Sequence, residues 1–168
     1  VVLNPPALVE ACVTPEPRDI TTAHCPTLEQ IQRLEAAIPL ALPSYDIDKL
    51  TTHHFCPGMY ARRLDIPKYG VIVGKTHASH NFFLLASGTM TVSTDAGMQR
   101  ITAPFLAVSK PGDKRVAYAH EDCISFNFHV NPDDEQDMIL LEQRYVLPET
   151  PPTLPSADAV SLLEEIQT

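Results

Sequence analysis

Lys75-Thr76-His77-Ala78-Ser79-His80-Asn81, continued by Phe82-Phe83-Leu84-Leu85-Ala86 and closed by Gly88, is the stretch on which the fold reading turns. Two imidazoles three positions apart, an apolar segment of strand type and a terminal glycine describe a metal or anion pocket on a β-barrel wall. On a straight strand, side chains three apart point to opposite faces. His77 and His80 therefore reach one ion only if the backbone bends between them, at Ala78-Ser79.

The strand-like pattern extends to both sides of this stretch. Met59–Ile66, Val71–Lys75, Asn81–Ala86, Thr89–Ser93, Met98–Thr102, Phe105–Val108, Val116–Tyr118 and Cys123–Val130 are short runs rich in β-branched and aromatic residues. Turn signals separate them, among them Asp95-Ala96-Gly97 and Lys110-Pro111-Gly112-Asp113. About eight short strands at this spacing predict an antiparallel sandwich or small barrel over residues 57–130.

The flanks read differently. Residues 1–26 carry five prolines and little periodicity, which predicts an extended arm lying across another subunit or protein. Thr27 with Gln30 three residues on forms a capping box, and Leu28, Ile31, Leu34 and Ile38 make one apolar stripe, so a helix is expected until Pro39. Pro43 to Cys56 reads as a polar connector, completing an N-terminal region of residues 1–56. In the C-terminal region, residues 131–168, Asn131 or Asp133 is expected to cap a helix running to about Tyr145. Its acidic first turn suits the helix dipole. Four prolines between Pro148 and Pro155 then lead to a short amphipathic helix capped by Ser156.

The 168 residues carry a net charge of −9, distributed unevenly. Residues 1–56 have three basic and seven acidic side chains, residues 57–130 eight and five, and residues 131–168 one and nine. A phosphate-tracking surface needs a net basic face, so nucleic acid is not the expected partner, whereas a small anionic ligand suits the central segment. The four cysteines form no C-x-x-C pair, no signal-peptide pattern is present and no apolar run is long enough to span a membrane. Reduced thiols and a cytoplasmic location are expected, with no membrane partner. There is no G-x-S-x-G elbow or glycine-rich phosphate loop, which argues against nucleophilic catalysis and nucleotide binding.

With the strands placed, residues 57–130 resemble the cupin family, a double-stranded β-helix barrel with two loose motifs. The first is G-(x)5-H-x-H-(x)3,4-E-(x)6-G. Anchored on Gly88, it puts Asn81 at the glutamate, His77 at the second histidine and Lys75 at the first. In the second motif, G-(x)5-P-x-G-(x)2-H-(x)3-N, Gly112 fits the glycine, Pro111 sits one residue late and Arg115 takes the histidine position. More narrowly, Tyr60-Ala61-Arg62, Gly74-Lys75-Thr76-His77, His80-Asn81, Ser109-Lys110-Pro111-Gly112 and His120-Glu121-Asp122 resemble small cupin-like proteins of tailed bacteriophages. The resemblance implies a homo-oligomer or larger assembly joined through strand edges.

Two site chemistries follow. His77, His80 and His129 are candidate ligands for a divalent zinc, iron or nickel ion, His129 having the parity to face inward with Asn127 and Ser125. These histidines are otherwise the lining of a polar cavity or exposed loop residues. Lys75, Asn81, Arg115 and Tyr118 are candidate contacts for a small anion, Arg115 being suited to bidentate binding. The alternative for Arg115 is a buried bridge, for example to Asp122. A zinc site split between His24-Cys25 and His53-His54-Cys56 matches no familiar spacing, so exposed histidines and a buried thiol are expected there. The expected function is a non-enzymatic structural or assembly module, virion-associated or binding a host partner through its arms. The alternative is a small metal-dependent enzyme of isomerase, lyase or dioxygenase type acting on an anionic substrate.

Overall fold

The computed structural model describes residues 2–3, 26–41 and 44–149. Its framework is mainly β and wholly antiparallel. The chain runs through β1 (Val2–Leu3), α1 (Leu28–Ala41), β2 (Ser44–Tyr45), α2 (Ile47–Leu50), β3 (Thr51–Cys56), β4 (Gly58–Ile66) and β5 (Val71–Val73). It continues through β6 (Asn81–Ser87), β7 (Thr89–Thr94), β8 (Gly97–Thr102), β9 (Phe105–Ser109), β10 (Val116–Ala119), β11 (Cys123–Asn131) and α3 (Met138–Tyr145). Two sheets form, one in the order β2-β1-β5-β10-β7-β8 and the other β3-β4-β11-β6-β9.

Alternation along β10 shows how the layers are built. Ala117 and Ala119 join Ile66, Leu85, Met90, Val92, Ile101 and Cys123 in the core between the sheets. Val116 and Tyr118 point the other way and pack with Val71 and Val73 against Ile31 and Leu34 of α1. The six-stranded sheet is thus covered on both faces, by the second sheet and by α1. A third cluster, Tyr60 with Leu141 and Tyr145, seats α3 against the five-stranded sheet.

Gly88 makes the turn between β6 and β7 at φ +88°, and a Cβ there would stand 2.6 Å from both the Asp122 carbonyl and Cys123 Sγ. Only glycine fits that approach and that φ.

Several local expectations change. The capping box forms as read, Thr27 N–H donating to Gln30 Oε1 at 2.7 Å and Gln30 N–H to Thr27 Oγ1 at 3.2 Å. However, α1 passes through Pro39 to Ala41. A proline so near the end removes one backbone bond from a turn that is already losing them. The supposed connector contains β3, which pairs along its length with β4. It is an edge strand exposed over most of its length, so Thr51-Thr52-His53-His54-Phe55-Cys56 has no apolar alternation to betray it. The acidic run does not open α3. Asp137 is the cap, accepting from Ile139 N–H and Leu140 N–H, while Asp133 pairs with Arg144 and Asp134 accepts from Gly58 N–H. Val2–Leu3 of the arm pairs with β5 and β2 of the same chain, whereas the last helix, the proline-rich linker beyond Glu149 and the rest of the arm lie outside the described residues.

Candidate functional site

The central strand β11 pairs with all of β4, which brings Arg62 opposite Asn127, Tyr60 opposite His129 and Leu64 opposite Ser125. Period-two alternation turns these residues toward the sandwich interior, where Ile66 and Cys123 at one end of the row enter the apolar core. The other end is polar. Asn127 Nδ2 donates to Asn81 Oδ1 at 2.9 Å. This leaves Asn81 Nδ2 buried with no partner, and His129 Nδ1 is likewise buried and unpartnered.

Rings close around His129. Tyr145 lies 4.3 Å away centroid to centroid, Tyr60 5.8 Å and His77 6.4 Å. His53 Nδ1 and Tyr60 Oη share a hydrogen bond at 2.7 Å. The segment after α3 fixes His77 in place through a bridge to Val146, and Ala78 N–H donates to the Tyr145 carbonyl at 2.8 Å.

Burial is the main cause of the electrostatics here. It pushes His129 down to about 4, helped by His77 and Arg62, so this imidazole is neutral at physiological pH. Burial lowers His77 too; Asp113 opposes this, and Arg115 and Arg62 add to it. Burial raises Tyr60, with Arg62 working against it. Arg62 is thus felt by His129, His77, Tyr60 and His53. It forms no hydrogen bond or ion pair among the described residues.

The other expected contacts are dispersed. Lys75 and His80 are exposed, and Ala78-Ser79 does bend as anticipated. Arg115 is held by Asp113 at 2.8 Å and donates to the Ser93 carbonyl at 2.9 Å. Asp122, the bridging partner first considered, instead accepts from Lys68 N–H at 2.8 Å. Tyr118 does not face the interior with Asn81. The pleat turns it to the α1 side, stacked with Tyr69 at 6.4 Å. Of the split zinc set, His53, His54 and Cys56 are exposed on β3, and His24 and Cys25 lie outside the described residues.

A divalent metal, which the cupin resemblance implies, does not fit the donors brought together. No group of three His, Cys, Asp or Glu side chains suited to an ion occurs among the described residues. The pair that does meet, His77 and His129, lies in the field of the Arg62 guanidinium, which repels a second cation. The amide of Asn81 presents an N–H, the wrong polarity for a metal. These donors suit an anion. Two shallow clefts, of about 260 and 400 Å3, lie elsewhere, one near Cys56 and Asn131 and the other near Leu50 and Asp122.

Tyr60 and Arg62 entered the sequence reading only as part of the resembling string Tyr60-Ala61-Arg62 and not as candidate site residues, although the signal was present. In Tyr60-Ala61-Arg62-Arg63-Leu64-Asp65-Ile66, alternate residues are aromatic, cationic and aliphatic, which places an arginine on an otherwise apolar face.

No family model matches the chain, and no curated protein matches it. Solved structures do. An acetylacetone dioxygenase from Acinetobacter johnsonii matches 52% of this chain at 11% identity with a TM-score of 0.41, and the match spans 66% of that protein's length. KdgF from a Halomonas species matches over 61% of this chain and 94% of its own, at 15% identity and TM-score 0.43. A cupin superfamily protein from Desulfitobacterium hafniense matches over 48% and 75%, at 5% identity and TM-score 0.43. The likeness is one of fold, and the bacteriophage affinity gains nothing from it. No helix among the described residues is long and apolar enough to cross a membrane.

Proposed function

We propose that the protein binds a small carboxylate-bearing ligand inside its sandwich, with Arg62 as the charge partner and Asn81 Nδ2 and His129 Nδ1 as hydrogen-bonding groups. One observation carries this reading: two polar atoms are buried without partners in the field of an uncommitted guanidinium. Orphaned buried polar groups cost about 1–3 kcal/mol each, so a sheet interior that keeps two of them is arranged for something that satisfies them. A carboxylate accepts from Arg62 and from the Asn81 amide. His129, held neutral, adopts the tautomer that the bound oxygen requires.

Calorimetric titration with acetate, oxalate, succinate and inorganic phosphate tests this reading. At least one carboxylate is expected to bind stoichiometrically, and Arg62→Ala is expected to weaken it by tenfold or more, since a charge-assisted hydrogen bond is worth about 1.5–3 kcal/mol. Equal affinity in wild type and Arg62→Ala, or no binding at all, would refute the reading.

A second reading, an interaction module, is favoured by the exposed outer face of the five-stranded sheet. The arms first assigned that role remain proposals, because nearly all of their residues lie outside the described ones.

A further inference from the structure

Ile31 and Leu34 of α1 pack on the apolar part of the outer face of the six-stranded sheet, made by Val71, Val73, Val116 and Tyr118. Beyond Tyr118 the same face turns polar. Register sets Tyr118 of β10 opposite Thr91 of β7, and Thr91 opposite Arg100 of β8. In the next row Thr89 stands opposite Thr102, and His120, just past β10, donates its backbone N–H to the Thr89 carbonyl at 2.9 Å. Three neighbouring segments thus contribute two polar side chains each to one patch, spaced about 5 Å across the strands and about 7 Å along them.

The side chains of the patch are connected. Thr91 Oγ1 and His120 Nε2 share a hydrogen bond at 2.7 Å, and Thr89 Oγ1 and Thr102 Oγ1 share another at 3.2 Å. Tyr118 meets the His120 ring edge-on at 5.0 Å. Thr89, Thr91 and Tyr118 form a buried floor, His120 is half-buried, and Arg100 and Thr102 stand exposed at the rim. Arg100 makes no hydrogen bond or ion pair among the described residues. Burial lowers the pKa of His120, Arg100 adds to this, and the weaker influence of Glu121 opposes it. The patch is therefore a cationic spot backed by hydroxyls, in a chain whose net charge is −9.

We infer that this patch is a phosphoryl-binding site, which holds a phosphate monoester or free phosphate against Arg100, Thr91 and the Thr89–Thr102 pair. Arg100 supplies the charge and a forked donor suited to phosphate oxygens. With its Nε2 protonated, His120 donates to Thr91 and frees the Thr91 hydroxyl to donate to the anion. In the Thr89–Thr102 pair one hydroxyl donates to the other, which leaves one proton to point outward. Donors spread over two rows and three strands call for an anion whose oxygens point in several directions, as those of a phosphoryl group do and the two of a carboxylate do not. Arg62 faces the interior from the other sheet, with the apolar core between the sheets, so the two sites are separate.

Calorimetric titration of the full chain with inorganic phosphate and with phenyl phosphate tests the assignment, in wild type, Arg100→Ala, Thr91→Val and Arg62→Ala. Arg100 is exposed and valine keeps the shape of Thr91 on a strand, so circular dichroism should report unchanged folds. Wild type and Arg62→Ala should bind at one site with equal affinity. Arg100→Ala should weaken binding at least tenfold, and Thr91→Val about threefold to tenfold. With that pattern, the probe that binds more tightly shows whether the site takes a monoester or the free anion. No binding of either probe, an affinity in Arg100→Ala within twofold of wild type, or a loss confined to Arg62→Ala would overturn the proposal. Failure of carboxylates to bind at Arg62 would leave every one of these outcomes unchanged.

Discussion

His129 makes the stability of this protein depend on pH in a way that can be calculated. Its side chain is 6% exposed and its Nδ1 is unpartnered, so charging it inside the fold is costly. Burial, His77 and Arg62 hold its pKa at about 4, against 6.5 when the chain is unfolded. Above pH 6.5 both states are neutral and the folded protein is unpenalised. As pH falls, the unfolded chain takes up the proton first, so this one contribution to stability is lost between pH 6.5 and about 4 and changes no further below. A pKa lowered from 6.5 to about 4 corresponds to about 3 kcal/mol in all, of which about 2 kcal/mol is gone by about pH 5. His53, His77 and His120 are lowered too and add to the wild-type slope, so the informative quantity is the difference from His129→Gln. Urea denaturation of both proteins across this range should show the wild type losing about 2 kcal/mol more than His129→Gln by about pH 5. Parallel curves would mean that His129 is hydrated or paired in solution, and the reasoning would fail.

Two further substitutions probe the frame around the site. The Lys114 side chain is fully buried between Glu35 and Glu149, at 2.8 Å from each, with those carboxylates only 17% and 18% exposed. Lys114→Ala strands two half-buried negative charges and should cost about 3–5 kcal/mol in urea denaturation, whereas a loss below about 1 kcal/mol would show the pair to be solvent-screened. Gly88→Ala places a methyl against the Asp122 carbonyl at a φ of +88° and should cost at least about 2 kcal/mol by thermal or urea unfolding. A neutral result would show that the β6–β7 turn relaxes freely.

The strands were legible because their residues alternate and their turns are marked. All eight runs between Met59 and Val130 fall on observed strands, with boundaries shifted by only one or two residues. β3 was not legible, because an exposed edge strand is defined by its partner and not by its own pattern. The acidic run misled for a related reason. Asp133, Asp134 and Glu135 satisfy loop donors and Arg144, contacts made through space that spacing along the chain does not reveal.

In the site, parity turned His129, Asn127 and Ser125 inward, but it does not say which face of β10 meets α1, where Tyr118, offered as an anion contact, packs with Ile31 and Leu34. Arg62 was left out of the candidate site because the family motifs draw attention to positions 75, 77, 81 and 115. The chain's own charge was on the strand opposite.

The central claim is that Arg62, Asn81 and His129 together receive a carboxylate, and 15N nuclear magnetic resonance of the Asn81 side-chain amide and the His129 imidazole during an oxalate titration tests it most directly. Both signals should shift along one saturable curve with a common dissociation constant, and neither should move in Arg62→Ala. Unmoved resonances in the wild type, or the same shifts in Arg62→Ala, would contradict the account.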